Sequence, residues 1–177
     1  RTQSAFCLMF LFCGMAFVDL AHLRKEDIKG RVLSYYRQKS GSLIQVEIPV
    51  EAQGLLDDLA ADTTPDSPYL FPFLDGMKTG EDAYKEYNAA LAGFNRSLRA
   101  LSESIGINFQ VTSYTIRHSF ATTLKEQNVP IEMISELLGH KSIKTTQIYL
   151  KSFSLEKLST VNKLCFESVY NYAPKVG

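Results

Sequence analysis

The segment that most constrains the fold is a long amphipathic stretch near the middle of the chain, residues 81–104. Apolar side chains recur there at steps of three and four residues: Tyr84, Tyr87, Leu91, Phe94, Leu98 and Leu101. This spacing places them on one stripe of an α-helix, with Arg96 and Arg99 on a different face. A helix of this length buries its stripe against other elements, which favours a mostly helical domain.

A second apolar stretch lies near the start of the chain. Residues 4–18 carry no charged side chain, and the stretch stops at Asp19. A membrane span needs about 20 apolar residues, so this stretch is too short. We therefore interpret residues 4–23 as a buried helix that is interrupted near Gly14, and we expect no membrane partner.

A small sheet is predicted between these helical segments. Residues 28–37 and 43–49 are rich in Val, Ile and Tyr, and the polar residues 38–42 between them are typical of a β-hairpin turn. Residues 69–71 predict a third short strand. The expected fold class is α+β and mostly helical, with a small antiparallel three-stranded sheet at one edge.

The remaining helices are predicted from caps, terminators and apolar spacing. They are a helix from Glu51 that ends in residues 61–68, one from Thr112 or Ser113 to Gln127, one from Pro130 to Leu138 ended by Gly139, one from Ser142 that carries Tyr149, and a last one over residues 154–169. Within this arrangement Tyr114, Arg117 and Ala121 share a helix face. His140 lies in a turn between two helices.

The charge distribution constrains the partners. Nineteen basic and nineteen acidic side chains cancel, so the chain lacks the overall positive field that steers many proteins onto DNA. The charges are nevertheless segregated, because residues 141–151 hold three lysines and no acid, whereas residues 47–66 hold six acids and no base. This predicts a basic face opposite an acidic face. Three cysteines without metal-ligand spacing favour a reducing, cytoplasmic compartment.

The length of the chain predicts one domain. Its 177 residues are near the size of a single globular unit, so we expect residues 1–177 to fold together. The chain begins at Arg1 rather than Met, and its first residues are already apolar. We therefore expect it to be a fragment of a longer protein that has further domains upstream.

Three side chains in the second half of the chain predict phosphoryl-transfer chemistry on DNA. His140 follows Arg117 by 23 positions (140 − 117), and Tyr149 follows His140 by nine (149 − 140). Arginine binds phosphate bidentately, imidazole supplies a hydrogen-bond donor, and a phenol can act as the nucleophile. Each residue type alone is usually structural, but together they resemble one half of an active site for this reaction.

The motifs around these residues resemble those of the tyrosine recombinases, or phage-type integrases. The segments that carry the resemblance are Tyr114-Thr115-Ile116-Arg117-His118-Ser119-Phe120-Ala121-Thr122, Leu137-Leu138-Gly139-His140-Lys141-Ser142 and Thr145-Thr146-Gln147-Ile148-Tyr149. Weaker correspondences extend back to about Gly14. The resemblance implies the catalytic domain of a site-specific recombinase, or integrase, of a mobile element.

In that family a tyrosine attacks a DNA phosphate and forms a 3′-phosphotyrosyl intermediate, without a metal or a cofactor. The resemblance implies that Tyr149 is the nucleophile and that Arg117 and His140 bind the phosphate. It implies that Lys39, in the hairpin turn, protonates the leaving hydroxyl. Tyr114 would contact the same phosphate or pack beside it. Further DNA contacts are expected from Arg37, Lys141, Lys144 and Lys151.

The same resemblance implies the partners. These are duplex DNA and other copies of the chain, four at synapsis, with no small-molecule substrate. The protein would be cytoplasmic and associated with the nucleoid. The upstream DNA-binding domains of the family are the part that this fragment would lack.

Two positions depart from the family pattern. Ala16 occupies the place of the family's first arginine, and Tyr114 occupies the place of a histidine. A missing clamp arginine weakens transition-state stabilisation, by about a hundredfold or more in rate by analogy with single oxyanion donors. The candidates for a replacement are Arg24, Arg31 and Arg37, and the sequence does not distinguish among them.

Two other functions fit parts of the pattern. Residues 130–150 could form a helix-turn-helix in a recombinase-like domain that binds DNA without cutting it. A type IB topoisomerase uses similar chemistry, although the Leu137–Ser142 motif favours a recombinase. Tyr149 discriminates between binding and cutting, because a protein that only binds DNA would tolerate its replacement by phenylalanine. His118 is expected to have a structural or supporting role.

Overall fold

The computed structural model describes residues 1–150, 158–160 and 163, and it shows a mixed, mostly helical fold. The elements in chain order are α1 (Thr2–Leu11), α2 (Phe17–Ala21), β1 (Ile28–Lys29), β2 (Val32–Tyr36), β3 (Leu43–Glu47), α3 (Gln53–Ala60), α4 (Gly80–Ser104), α5 (Ser113–Glu126), α6 (Ile131–Leu137) and α7 (Ile143–Tyr149). Single-turn 3₁₀ helices occupy Lys25–Asp27 and Val50–Ala52. The expected fold class is confirmed.

The three strands form an antiparallel sheet in the order β1-β2-β3. In the β2–β3 hairpin Leu33 pairs with Val46 and Tyr35 pairs with Ile44, and all four side chains are buried. Their neighbours in each strand point to the other face, as the period of two in a strand requires. The predicted hairpin is confirmed, and it buries Arg37, directly after β2, against Leu138 and Gly139.

The prediction of a third strand at residues 69–71 is wrong. Tyr69 forms only an isolated antiparallel bridge with Arg24, and the third strand is Ile28–Lys29. The run of residues 28–37 folds back on itself at Gly30, whose φ of +61° suits a glycine in a tight turn. The first part of the run therefore pairs with the second.

The predicted interruption near Gly14 is confirmed and has a structural role. Cys13 and Gly14 both have positive φ, so the chain leaves α1 and re-enters a helix at Phe17. A Cβ at Gly14 would lie 3.0 Å from the Cβ of Phe120 on α5. The close approach brings the carbonyl of Gly14 to α5. No helix in the described part of the chain is long and apolar enough to cross a membrane.

The long helix predicted at residues 81–104 is present as α4. Its core contacts begin at Tyr87, which is partly buried against the core. Farther along, Phe94 and Leu98 are buried, and the ring of Phe94 stacks on Phe17 with centroids 4.7 Å apart. Tyr84, in the first turns, is 67% exposed, so the start of the apolar stripe does not contribute to the core. The other predicted helices from residue 51 to residue 149 are also confirmed.

Two expectations fall outside the described residues. These are the DNA contact assigned to Lys151 and most of the last helix over residues 154–169, of which the structure describes residues 158–160 and 163, all helical.

Candidate active site

The candidate site forms where α5 meets the segment that joins α6 to α7. Thr112 begins α5 in a reciprocal capping arrangement with Thr115, and its backbone N–H donates to the Thr115 hydroxyl at 3.0 Å. This cap fixes the phase of the helix, so that Arg117 faces inward. Gly139, with a φ of +62°, ends the turn after α6 and directs His140 toward Arg117.

Arg117 is 3% exposed and joins three segments of the chain. Its Nη1 donates to the carbonyl of Gly14 at 2.8 Å, and its Nη2 donates to the carbonyl of Leu138 and to His140. Nε is buried and has no partner among the described residues. Burial, and then the charge of Arg37, lower the pKa of Arg117. The group still carries its charge at neutral pH, since guanidinium is not deprotonated in proteins.

His140 is held as a neutral imidazole. Its Nε2 lies 3.0 Å from Arg117 Nη2, and because arginine only donates, Nε2 accepts. The ring proton is therefore on Nδ1, which donates to the Thr146 hydroxyl at 2.9 Å. Burial, followed by the charges of Arg117, Arg37 and Lys39, lowers the pKa of His140 to about 4.

Tyr149 ends α7 inside a cluster of rings. Its ring centroid lies 5.3 Å from that of His140, 4.6 Å from His118 and 5.5 Å from Tyr114. The guanidinium carbon of Arg117 lies 6.0 Å from the same centroid. The structure thus brings together Arg117, His140 and Tyr149, as their spacing predicted.

Tyr114 and His118 are in contact with the candidate nucleophile. Partial burial and a hydrogen bond with Tyr149 raise the pKa of Tyr114 to about 12, although 52% of its surface is exposed. Both roles expected for Tyr114, phosphate contact and packing, therefore stay open. His118 packs edge-on against Tyr114 at 4.6 Å and touches Tyr149, which fits the supporting role expected of it.

Arg37 enters the same site from the sheet. It is 7% exposed, and its Nε donates to Asp19 Oδ2 at 3.4 Å while its Nη1 donates to the carbonyl of Leu138 at 2.8 Å. The other oxygen of Asp19 accepts from the backbone N–H of Gln38 at 2.8 Å. The family resemblance implies that Arg37 contacts DNA, and the structure places it beside Arg117, on the same carbonyl of Leu138.

The other candidate residues lie outside this cluster. Lys39 is exposed in the hairpin turn, and its charge contributes to the lowered pKa of His140. Lys141, just before α7, and Lys144, in its first turn, are both exposed. Ala16 precedes α2 and is half-buried.

Sequence reasoning left two residues of the site unassigned, Asp19, which binds Arg37, and Thr146. Thr146 is fully buried and fixes the tautomer of His140. The signal in the sequence was its place on α7, three residues before Tyr149 and therefore on the same helix face.

The depressed pKa of His140 gives a pH prediction. In an NMR titration of the DNA-free protein, the His140 ring should titrate near 4 and not near the ordinary value of about 6.5. The unfolded chain binds a proton on the His140 ring more tightly than the folded chain does. The contribution of neutral His140 to stability is therefore complete above the pKa of His140 in the unfolded chain, and it is lost as the pH falls toward 4. Titration of His140 near 6.5 would contradict the assigned hydrogen bonds.

Comparisons with known proteins agree with the geometry. Residues 1–156 match the model of the phage integrase family. Tyrosine recombinase XerA of Pyrococcus furiosus is 32% identical over 147 residues, which are 81% of this chain and 48% of that protein. A tyrosine recombinase of Pseudothermotoga lettingae is 26% identical over 162 residues, which are 90% of this chain and 52% of that protein. The chain spans about half the length of these relatives.

Solved structures show the same fold. A crystal structure of XerA recombinase superposes with a TM-score of 0.64 at 23% identity, covering 90% of this chain and 56% of that chain. The site-specific recombinase XerH, bound to a palindromic difH substrate in a post-cleavage complex, superposes with a TM-score of 0.67 at 19% identity. That match covers 92% of this chain and 44% of the XerH chain.

Proposed function

The chain belongs to the phage integrase family, and from that membership we propose that it is the catalytic domain of a DNA integrase or site-specific recombinase. The observation that carries the proposal is the convergence of Arg117, His140 and Tyr149, from two helices and one turn, on one partly open cluster. Its chemistry is strand cleavage and rejoining through a 3′-phosphotyrosyl intermediate.

In the cleavage step the hydroxyl oxygen of Tyr149 forms a bond to the scissile phosphorus as the bond from phosphorus to the 5′ oxygen breaks. The phenolic proton passes to solvent water, and Lys39 gives a proton to the departing 5′ oxygen. The strand keeps its phosphate on the 3′ side, now esterified to Tyr149. Attack by a 5′ hydroxyl of another strand reverses the step and restores the diester.

The surrounding groups suit a phosphate whose negative charge increases in the transition state. Arg117 is a buried cation, and its unpartnered Nε is a donor that a phosphate oxygen would satisfy. A bound phosphate would also raise the pKa of His140, because an anion favours imidazolium. His140 would then donate to the phosphate from Nε2.

The partners follow from this reaction. We propose that the chain is a single catalytic domain that acts on duplex DNA, within a longer protein that also supplies DNA-gripping domains. Lys141 and Lys144 are exposed beside the site and would contact flanking phosphates. Strand exchange between two duplexes requires several active sites, which supports a tetramer at synapsis. A mobile element and a cytoplasmic, nucleoid-associated location fit such an enzyme.

Covalent trapping tests the proposal. The protein as encoded, with whatever sequence its gene places on either side of these residues, is mixed with nicked duplexes drawn from the DNA around its gene. A nick near the scissile phosphate lets the short 5′ product diffuse away, so the adduct accumulates. Mass spectrometry should find a nucleotide on the peptide that contains Tyr149. Duplex binding without any adduct would contradict the proposal.

The role of Lys39 gives a second prediction for the same assay. Lys39→Ala should slow adduct formation by about 100-fold, because the alkoxide leaves without a proton. A duplex with sulfur in place of the bridging 5′ oxygen should restore the rate, since a thiolate leaves unprotonated. Lys29→Ala, at another exposed lysine of the same sheet, is the control. An equal loss on both duplexes would exclude Lys39 as the acid.

The alternatives are less well supported. In a DNA-binding helix-turn-helix the second helix presents its side chains to a groove, whereas α7 turns Thr146 and Tyr149 toward His140. The relatives reported above are recombinases and not topoisomerases. An adduct that forms but supports only relaxation of supercoils, without exchange of strands, would favour the topoisomerase.

A further inference from the structure

We propose that Arg37 is a catalytic residue, the second guanidinium of the phosphate clamp, and that it replaces from the sheet the arginine that is absent at Ala16. Asp19 is its positioning residue. The inference rests on the proposed function, and it concerns how this chain keeps two clamp arginines although one family position holds alanine.

The two guanidinium groups converge on a single acceptor. Arg37 Nη1 and Arg117 Nη2 both donate to the carbonyl oxygen of Leu138. Two donors on one oxygen lie within about 6 Å of each other, twice the length of a hydrogen bond. The two groups can therefore reach the nonbridging oxygens of one phosphate, although the residues are 80 positions apart in the chain (117 − 37).

The charge in this pocket is not balanced by the protein. Both arginines are buried, and in the described part of the chain the only carboxylate paired with either is Asp19, on Arg37. Their mutual repulsion contributes to the lowered pKa of Arg117. Two buried cations with one acid leave an excess of one positive charge, and a phosphate diester supplies one negative charge.

The hydrogen bonds leave donors for a ligand. A guanidinium has five N–H groups. The recorded bonds of Arg37 go to Asp19, Leu138 and, at 3.5 Å, Gly139, so at most three of the five are used. The arrangement fixes the plane of the group and still leaves N–H groups for phosphate oxygens.

The other candidates do not reach the site. Arg24 is exposed and lies 3.9 Å from Glu26. Arg31 is exposed, lies 3.8 Å from Glu47, and donates to the carbonyl of Ile48. Among the three arginines that the sequence left open, Arg37 alone is buried against the loop that carries His140.

The helix α2, where Ala16 stands in place of the family's arginine, also carries Asp19, which orients Arg37. Ala16 is the N-cap residue of α2, and Asp19 lies in the first turn of that helix. Asp19 is 2% exposed and binds both the side chain of Arg37 and the backbone of Gln38. The same short helix therefore keeps a role at the site through its carboxylate.

The test compares rates of adduct formation on nicked duplexes for variants of the protein as encoded. Arg37→Ala should lower the rate by about 100-fold or more, as expected for loss of one transition-state donor. Arg37→Lys, which keeps the charge but not the planar fork, should recover part of that loss. Arg31→Ala removes an exposed arginine of the same sheet and should leave the rate unchanged.

A neutral substrate separates catalysis from folding. A methylphosphonate at the scissile position has a methyl group in place of one nonbridging oxygen and carries no charge. On this duplex the defect of Arg37→Ala should shrink to less than about tenfold, because less charge needs to be stabilised. A purely structural role would slow both substrates equally, and that result would overturn the inference.

The outcomes also distinguish this inference from the proposed function. If the unaltered protein forms no adduct with Tyr149, the proposed function fails and the inference fails with it. If the unaltered protein forms the adduct and Arg37→Ala matches it, the inference alone is overturned. If circular dichroism shows that Arg37→Ala does not fold, Arg37→Lys decides instead. The quantity compared is the ratio of its rates of adduct formation on the charged duplex and on the methylphosphonate duplex. A ratio equal to that of the unaltered protein would overturn the inference.

Discussion

Tyr149→Phe should abolish covalent attachment to DNA, with a loss of at least about 10⁴-fold, while duplex binding stays unchanged. The size of the effect follows from chemistry, because phenylalanine offers no oxygen to attack phosphorus. The selectivity follows from packing: the variant loses the hydrogen bond between the hydroxyl and Tyr114 but keeps the ring contacts with His140, His118 and Tyr114. The variant should therefore fold normally.

Two measurements check this prediction. Adduct formation is followed by denaturing electrophoresis on a nicked duplex, and binding is followed by fluorescence anisotropy on the intact duplex. Tyr84→Phe is the matched control, since Tyr84 is an exposed tyrosine on α4 outside the site. An adduct that persists in Tyr149→Phe would mean that another side chain is the nucleophile.

The loss of the hydroxyl should also change Tyr114. Burial and the hydrogen bond with Tyr149 together raise the pKa of Tyr114 to about 12, so Tyr149→Phe should lower that pKa. An ultraviolet titration of the phenol absorbance can follow the change. The comparison reports on the pairing of the two tyrosines independently of DNA.

Local signals in the sequence predicted most of this architecture. The cap at Thr112 and the terminator at Gly139 each act within a few turns of helix, where local backbone geometry fixes the ends of the elements. Arg117, His140 and Tyr149 lie on separate elements, and the motifs that resemble the family predict that they meet. Once α5, α6 and α7 are in place, the cluster of Arg117, His140 and Tyr149 follows from their packing. These parts of the site could therefore be predicted.

The rest depended on contacts between distant segments. Nothing near residue 37 shows that its side chain will donate to the carbonyl of Leu138, 101 residues later. The partner of β1 was equally hidden, because residues 28–37 and 69–71 both carry side chains that favour strands, and only the turn at Gly30 selects pairing within the first run. A choice between strands of similar composition is made by tertiary packing.

Gly139→Ala should damage both stability and catalysis, and it tests whether Arg37 and His140 depend on one turn. At a φ of +62° an alanine costs about 1–2 kcal/mol. Its Cβ would also lie 2.6 Å from Arg37 Cδ and 2.7 Å from Ile44 Cδ1. Arg37 cannot move aside without losing its bonds to Asp19 and Leu138, so the overlap adds about 1–3 kcal/mol.

We therefore expect the free energy of unfolding of Gly139→Ala to fall by about 2–5 kcal/mol in urea titrations. Adduct formation by the protein that remains folded should fall by about 100-fold, because small displacements of positioning groups have effects of that size. Gly30→Ala is the matched control: Gly30 has a φ of +61°, and nothing lies within 4 Å of its Cβ position. Equal losses in both variants would assign the whole effect to backbone strain. A loss of adduct formation that is larger in Gly139→Ala than in Gly30→Ala, and that is smaller on a methylphosphonate than on the charged phosphate, would show that the turn holds Arg37 against the reacting phosphate.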